Sequence, residues 1–521
     1  MVGDVTQTAD RIEAPRNSRL SAFDLLLLLF ILNLAVQPPV DPDFGWHLRT
    51  GLDLLKDHWQ LPATDPYSHT VPEWRWVEHA WLSDVVVGTL YQAWAPYGLL
   101  AVILLYGVIS AWTFLWIAET ARSGRSARFV AVAAALWVVL PFIGVRTQML
   151  SLLGLGAVWW IWVRFHAGRF RTLWACPGVF LLWANLHGGF TVGLLLLGLV
   201  LGVSASLRLS GDSGTSRLAG LRARMRAEAL PWASIRHLAL VAVICACVTL
   251  LNPYGWRLHG EIIESLTDQF MLETLHEWQA VSLDTRAGRY FLVYAGALTI
   301  AAGWLYRRVE PVCWVVLGAF GILAFRHLRN IPLFVLLSVP LWAELLETFL
   351  QKVRMPVPMG REAMKRWQLA VTFALGFFAV VMGSDHLKNV ATAGLSPVHY
   401  YQASDYPIEA IMWIREHPEQ VGARMYNDYG YGGFLLWWLP EKKIFIDGRM
   451  PTWREGDRWI FYDYVALTSW DPPSVGVLDK YAVDWGLTAR GTGLERALRN
   501  RPLWKPVYED RKAVIFVRQS G

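Results

Sequence analysis

Two carboxylates, Asp41 and Asp43, stand two residues apart in Asp41-Pro42-Asp43-Phe44-Gly45-Trp46-His47, directly after the first apolar run of the chain. A carboxylate at a membrane boundary can act as general base on an acceptor hydroxyl or amide, or can hold a divalent cation. Two of them in an extended turn can address one centre. Equally, Asp-Pro turns end helices, and charge at an interface is ordinary. Asp43 is the favoured base, because Phe44 and Trp46 would raise its pKa by desolvation. A cation at such a pair would be Mg or Mn, but no cofactor is required by the residues and the metal ligand set stays open. His47 reads first as an interfacial contact, since no second histidine lies at helical spacing. Arg326, Arg329 and Arg146 sit at the ends of apolar runs. There an arginine either clamps a phosphate through bidentate hydrogen bonds or snorkels as an anchor.

Further polar candidates for contacting a substrate or acceptor are Glu78, His79, His187, Glu277, Asp428 and Tyr429. Asn185 and His187 flank Gly188-Gly189, a pair that lets helices approach closely or hinge. Asn427–Gly433 follows a strand-like Ala423–Tyr426, and a strand, glycine turn and helix can cradle a bound group. Asp447-Gly448-Arg449 ends the next strand-like run, Lys443–Asp447, where α/β sheets favour ligands. Walker A, GxSxG and HExxH motifs are absent from the sequence.

The elements that position these residues follow from composition. Of 521 residues, 54% are hydrophobic and only 17% charged, with 29 Trp, 23 Phe and 18 Tyr. Mean hydropathy is +0.31. That excludes a disordered chain and an ordinary cytosolic enzyme, and points to a polytopic membrane protein. The net charge of +6 reads as basic cytoplasmic loops and not as a nucleic-acid surface. Cys176, Cys245, Cys247 and Cys313 lie in apolar stretches, so neither a disulfide framework nor a zinc site is expected.

Apolar runs predict about eleven transmembrane helices: 21–40, 98–119, 129–145, 148–163, 172–186, 190–208, 237–251, 290–305, 311–325, 331–350 and 367–384. The first reads as a signal anchor, with no cleavage site after it. Arginine-rich loops alternate with the spans and place the N-terminus in the cytoplasm and the C-terminus outside. The domains expected are a cytoplasmic tail 1–20, a transmembrane domain 21–384 with its first outer loop at 41–97, and a small C-terminal α/β extracytoplasmic domain at 385–521. Trp81–Trp94 is too short to span and reads as a helix in the interface or packed on the bundle. Within the outer domain, Asp405–Arg415 and Arg454–Ser469 read as helices and Ala513–Arg518 as a strand.

The first-loop segment Asp41–Arg49 resembles the corresponding motif of oligosaccharyltransferase catalytic subunits, members of the GT-C superfamily of membrane glycosyltransferases. Asp65-Pro66-Tyr67 is similar to that family's continuation, and Asp428-Tyr429-Gly430 to the signature opening its outer domain. Tyr426 and Asn427 replace the two tryptophans of that signature. The family's second acidic motif would fall at Val145-Arg146-Thr147-Gln148, which holds no carboxylate, a gap better matched by metal-independent protein O-mannosyltransferases or lipid A aminoarabinose transferases. Trp183–Phe190 and Arg326–Asn330 resemble bacterial membrane proteins described as glycosyltransferase-like. The resemblance implies a GT-C-like glycosyltransferase in a bacterial-type inner membrane. Such an enzyme moves a sugar or glycan from a polyprenyl-phosphate-linked donor to a glycan, lipid or protein acceptor, with inversion. Asp43 or Asp41 would be the base, and Arg326, Arg329 and Arg146 would hold the donor phosphate. Membrane lipids would surround it. A lipid-linked glycan transporter or flippase and a non-catalytic glycan-binding scaffold are the alternatives.

Overall fold

The computed structural model describes residues 20–39, 41–209, 229–306, 309–352, 370, 373, 376, 383–469 and 472–519. The first apolar run forms α1 (Ala22–Ala35), opened by a capping box in which Ser21 and Asp24 exchange side-chain and backbone hydrogen bonds. It stops short of the expected residue 40. Pro38 and Pro39 cannot donate to a helix and bias their neighbours to extended backbone. The next segment folds as α2 (Phe44–Lys56) and α3 (Trp81–Ala93). A bundle follows: α4 (Gly98–Ala118), α5 (Arg125–Val139), α6 (Gln148–His166), α7 (Cys176–Leu186), α8 (Thr191–Leu209), α9 (Trp232–Val248), α10 (Trp256–Thr267), α11 (Gln269–Thr274), α12 (Arg286–Trp304), α13 (Pro311–Arg326) and α14 (Ile331–Lys352).

Among the described residues, five helical stretches are long and apolar enough to cross a membrane: Gly98–Ala118, Arg125–Phe142, Gln148–His166, Gly188–Leu209 and Leu328–Gln351. Ala22–Ala35, Trp232–Val248 and Pro311–Arg326 are apolar but shorter. The run at 172–186 contains only the 11-residue α7, because a 3-10 turn over Phe170–Ala175 precedes it and the backbone turns extended at His187. Most of 367–384 lies outside the described residues.

The C-terminal unit holds a four-stranded sheet in the order β1 (Met425–Asn427), β4 (Trp485–Ala489), β6 (Ala513–Arg518), β5 (Trp504–Glu509). The β1–β4 pair is parallel and the other two are antiparallel. Between β1 and β4 lie β2 (Arg454–Glu455) and β3 (Arg458–Trp459), which form a separate hairpin. Short helices cover the sheet: α15 (Pro397–Ala403), α16 (Ile408–Glu416), α17 (Gly432–Trp438), α18 (Ile460–Thr468), α19 (Gly476–Lys480) and α20 (Gly493–Arg499). The expected strand Lys443–Asp447 makes only isolated bridges, Ser68 with Ile444 and Arg424 with Lys443. Its backbone groups are used by the first interhelical segment instead. Ile444 N donates to Tyr67 O, His69 N donates to Ile444 O, and Thr70 Oγ1 donates to Phe445 O. The expected helix Arg454–Ser469 is likewise a hairpin followed by α18.

Two hydrophobic cores result. One fills the helical bundle. The other belongs to the C-terminal unit but also takes in Trp46, Tyr67, Val71 and Trp76 from the first interhelical segment. Glycine pairs set the close approaches. A Cβ on Gly45 would lie 2.0 Å from Gly433 O, and one on Gly51 would lie 1.9 Å from Asp84 O. Thus α2 touches α17 and α3 backbone to backbone. Gly51→Ala should force α2 and α3 apart at a cost of about 1–3 kcal/mol. A lowered Tm in detergent, with Gly260→Ala in open space as control, checks this.

Candidate active site

Asp43 precedes the first turn of α2 and lies against the C-terminal unit. A Cβ on Gly448 would fall 1.9 Å from Asp43 Oδ1, so the carboxylate rests directly on that glycine. Burial pushes the Asp43 carboxyl up to about 8, and the charges of Asp41, Glu277 and Asp447 add to the shift. Burial does dominate, as expected from the sequence, but it comes from the seam between two units and not from Phe44 and Trp46 alone. Asp41 behaves differently. Its Oδ2 accepts from Arg146 Nε at 2.7 Å, and its Oδ1 accepts from Asp43 N at 3.0 Å. The Arg146 guanidinium thus pairs with Asp41, one of the two aspartates at which a divalent cation had been an open option.

Three histidines line one side. The rings of His47 and His79 are 6.2 Å apart, and those of His79 and His187 are 5.6 Å apart, both edge to face. Burial pushes His47 and His79 down to about 3, and lowers His187 as well. All three are neutral near pH 7 and offer hydrogen bonds without charge. The nearby Arg329 cation adds to the lowering of both His79 and His187. His187 Nδ1 bonds Ser151 Oγ at 2.7 Å, while Trp183 Nε1 donates to the same hydroxyl at 2.8 Å. This fixes the break between α7 and α8. The Gly188-Gly189 turn serves that break: a Cβ on Gly189 would come within 2.3 Å of Ser151 Oγ.

Arg329 sits in the short turn between α13 and α14. It pairs with Glu277 Oε1 at 3.1 Å and stacks over Trp278 at 4.2 Å. The 278–281 segment is strapped to that turn: Val281 N donates to Phe325 O, Leu328 N donates to Gln279 O, and His327 Nδ1 bonds Trp278 O at 2.5 Å. Because Glu277 also repels Asp43, the Arg329 pair and the Asp43 carboxyl belong to one electrostatic neighbourhood. Arg326 is exposed at the end of α13, apart from this group.

In the C-terminal unit, Asp428 accepts from Tyr426 Oη at 3.1 Å and from Ala489 N at 2.9 Å, which ties β1 to the end of β4. Tyr429 lies beside Phe461 and Tyr464, and the Asp43 charge helps raise its phenol. The glycines of 430–433 admit close packing: Gly433 meets Pro42 O and Gly432 meets Ile446 O.

Several neighbours were not legible as site residues. Asp84, on α3, meets His47 Nδ1 at 2.7 Å. A lone acid in the apolar run Val85-Val86-Val87 was the available signal. Glu78, already a candidate from the sequence, is equally buried, and its Oε1 accepts from Ala80 N at 2.9 Å. Thr147 Oγ1 lies 3.4 Å from His47 Nε2. Behind Asp43, Arg449 is buried with Nε on Asp447 Oδ2 at 2.8 Å and Nη1 on Asp65 Oδ1 at 2.8 Å. Its guanidinium also lies 5.1 Å from the Tyr67 ring, 4.9 Å from Trp76 and 5.3 Å from Trp453. Burial opposes ionisation of both acids. Arg449 and the Ser68 and Tyr67 hydrogen bonds overcome it at Asp65, which ends below its usual range, whereas Asp447 stays above.

No protein-family model matches the sequence, and no curated protein matches it. Solved structures do match. The Archaeoglobus fulgidus oligosaccharyltransferase tethered to an acceptor peptide containing the NVT sequon is 11% identical, with a TM-score of 0.50 over 90% of this chain and 69% of that one. The chain has the GT-C fold. ArnT from Cupriavidus metallidurans, bound to undecaprenyl phosphate, aligns over 95% of this chain and 97% of its own at 13% identity and a TM-score of 0.46. The mycobacterial arabinofuranosyltransferase AftD aligns over 97% of this chain and 41% of its own, at 13% identity and 0.46.

In this GT-C fold the seam that holds Asp43 depends on Arg449. Arg449→Met should leave two buried acids without their cation and cost about 3–5 kcal/mol. The measurement is a Tm in detergent, and Arg415→Met, at an exposed arginine, is the control.

Proposed function

We propose that this chain is an integral membrane glycosyltransferase that moves a sugar or glycan from a polyprenyl-phosphate carrier to an acceptor at the outer face of the membrane. The observation that carries the reading is the Asp43 carboxyl, half-buried at the seam of two units and raised to about 8 beside the Arg329–Glu277 pair. A carboxyl so placed is a general base matched to a weakly acidic hydroxyl or amide. The oligosaccharyltransferase that shares the fold was solved with an acceptor peptide tethered to it, which supports an acceptor-binding role for this fold.

In this reading Asp43 takes the acceptor proton, and the acceptor oxygen or nitrogen attacks the anomeric carbon in line. The bond from that carbon to the carrier phosphate breaks, and the phosphate departs with the electron pair. Arg329 stabilises the charge that develops there, with Arg326 nearer the bilayer. The neutral histidines 79 and 187 and the Tyr429 phenol would orient sugar and acceptor hydroxyls, with His47, whose two ring nitrogens face Asp84 and Thr147, behind them. Arg146 would act through Asp41, which positions the Asp43 backbone. The topology that goes with this function has eleven spans within 21–384, residues 1–20 in the cytoplasm, and 385–521 outside, in a bacterial-type inner membrane.

Purified protein in nanodiscs, offered labelled polyprenyl-phosphate sugars with cell-envelope acceptors, should release carrier. Asp43→Asn should lower turnover by about 10²–10⁴ while lipid binding is retained. Retained turnover in the variant would reject Asp43 as base, and a scaffold would show no turnover in either form. The sign of the pH dependence follows from the raised carboxyl: it is protonated below about 8 and becomes a base above it. Turnover should therefore rise as pH increases through about 8. Stability should fall over the same rise from the ordinary aspartate range, since the folded state holds the extra proton.

A further inference from the structure

A second cluster lies on the far side of His47 from Thr147, where α2 and α3 cross at Gly51. His47, Glu78 and Asp84 each direct one donor atom to a common point, all within 4.8 Å of one another. They are 7%, 1% and 0% exposed. Glu78 Oε2 and Asp84 Oδ2 have no hydrogen-bond partner among the described residues. Nor does any lysine or arginine among those residues form an ion pair with either acid; the contact made there is the hydrogen bond between His47 Nδ1 and Asp84 Oδ1. Two buried carboxyls with an orphaned oxygen each are costly, whether charged or neutral. A divalent cation relieves both at once, because it needs the oxygens that nothing else uses.

We propose that His47, Glu78 and Asp84 form a divalent transition-metal site that pins α2 to the start of α3. One imidazole nitrogen and two carboxylate oxygens suit Zn²⁺ or Mn²⁺ over the harder Mg²⁺, which prefers oxygen alone. The His47 ring is already oriented as a ligand would be. Its Nδ1 faces the acids, while Nε2 is within 3.4 Å of the Thr147 hydroxyl, the outer hydrogen bond that a metal-bound histidine usually makes. Binding displaces the proton shared in the 2.7 Å His47–Asp84 contact, and any proton on Glu78, so metal uptake releases protons. Three protein ligands leave a position for water. This site lies apart from the Asp41–Asp43 pair, where Arg146 already supplies the positive charge.

Elemental analysis and thermal unfolding test the proposal without any turnover assay, so its outcome is independent of the glycosyltransferase reading. Full-length protein purified in detergent without chelator should carry about one divalent ion per chain. EDTA should remove it and lower Tm, and added ZnCl₂ or MnCl₂ should restore Tm. Glu78→Gln and Asp84→Asn should each lose the ion and the response to EDTA. Both substitutions remove an orphaned buried charge, and size-exclusion chromatography confirms that the variants remain folded. Wild-type protein that binds neither Zn²⁺ nor Mn²⁺ and is indifferent to EDTA would overturn the site. So would metal retained in full by both variants.

Discussion

The Arg449 guanidinium, wedged between Asp65 and Asp447, fixes the first interhelical segment against the C-terminal unit. Asp65 comes from that segment and Asp447 from the unit, so one cation holds both partners. Burying three charges is expensive, and a buried triad seldom adds stability over an apolar packing of the same shape. What it adds is geometry. The planar fork accepts only carboxylates in its own plane, and Tyr67, Trp76 and Trp453 close its faces. Residue 448 is thereby held in register with residue 43, and the candidate base receives its environment from a unit distant in sequence.

The site as a whole is rich in negative charge and short of cations. Asp41, Asp43, Glu277 and Asp447 act on one another, and each of them except Asp43 is matched to an arginine: 146, 329 and 449 respectively. The unmatched acid, Asp43, is the one that burial and its acidic neighbours push up to about 8. A carboxyl left without a cation partner among paired ones is a recurring way to set a single group near neutrality.

Much of this was legible in the sequence, for physical reasons. The apolar runs that become helices and the presence of a small sheet near the C-terminus are local signals. Residue type and spacing carry them. Strand Ala513–Arg518 was legible because it pairs with sheet neighbours on both sides. Lys443–Asp447 was misread because its apolar pattern is the same whether its partner is a sheet or a loop from the other end of the chain. Arg146 read either as a phosphate clamp or as an interfacial anchor, and its pairing with Asp41, more than a hundred residues away, was invisible to spacing. His47 read as a surface contact because its acid, Asp84, comes from another helix. Spacing reports what one element places together and is silent about what two elements bring into contact.

The Asp43–Gly448 contact also sets a schedule. The two residues stand near opposite ends of the chain, so at roughly 5–20 residues per second the ribosome needs tens of seconds to make the second after the first. Until then the aspartate has no lid, keeps the acidity of a solvated carboxyl and is ionised. A chain that has not yet reached residue 448 therefore holds Asp43 as a weakly basic, solvated carboxylate. The environment that raises this carboxyl exists only once residue 448 has been made and seated, so assembly of the site waits on a distant part of the chain.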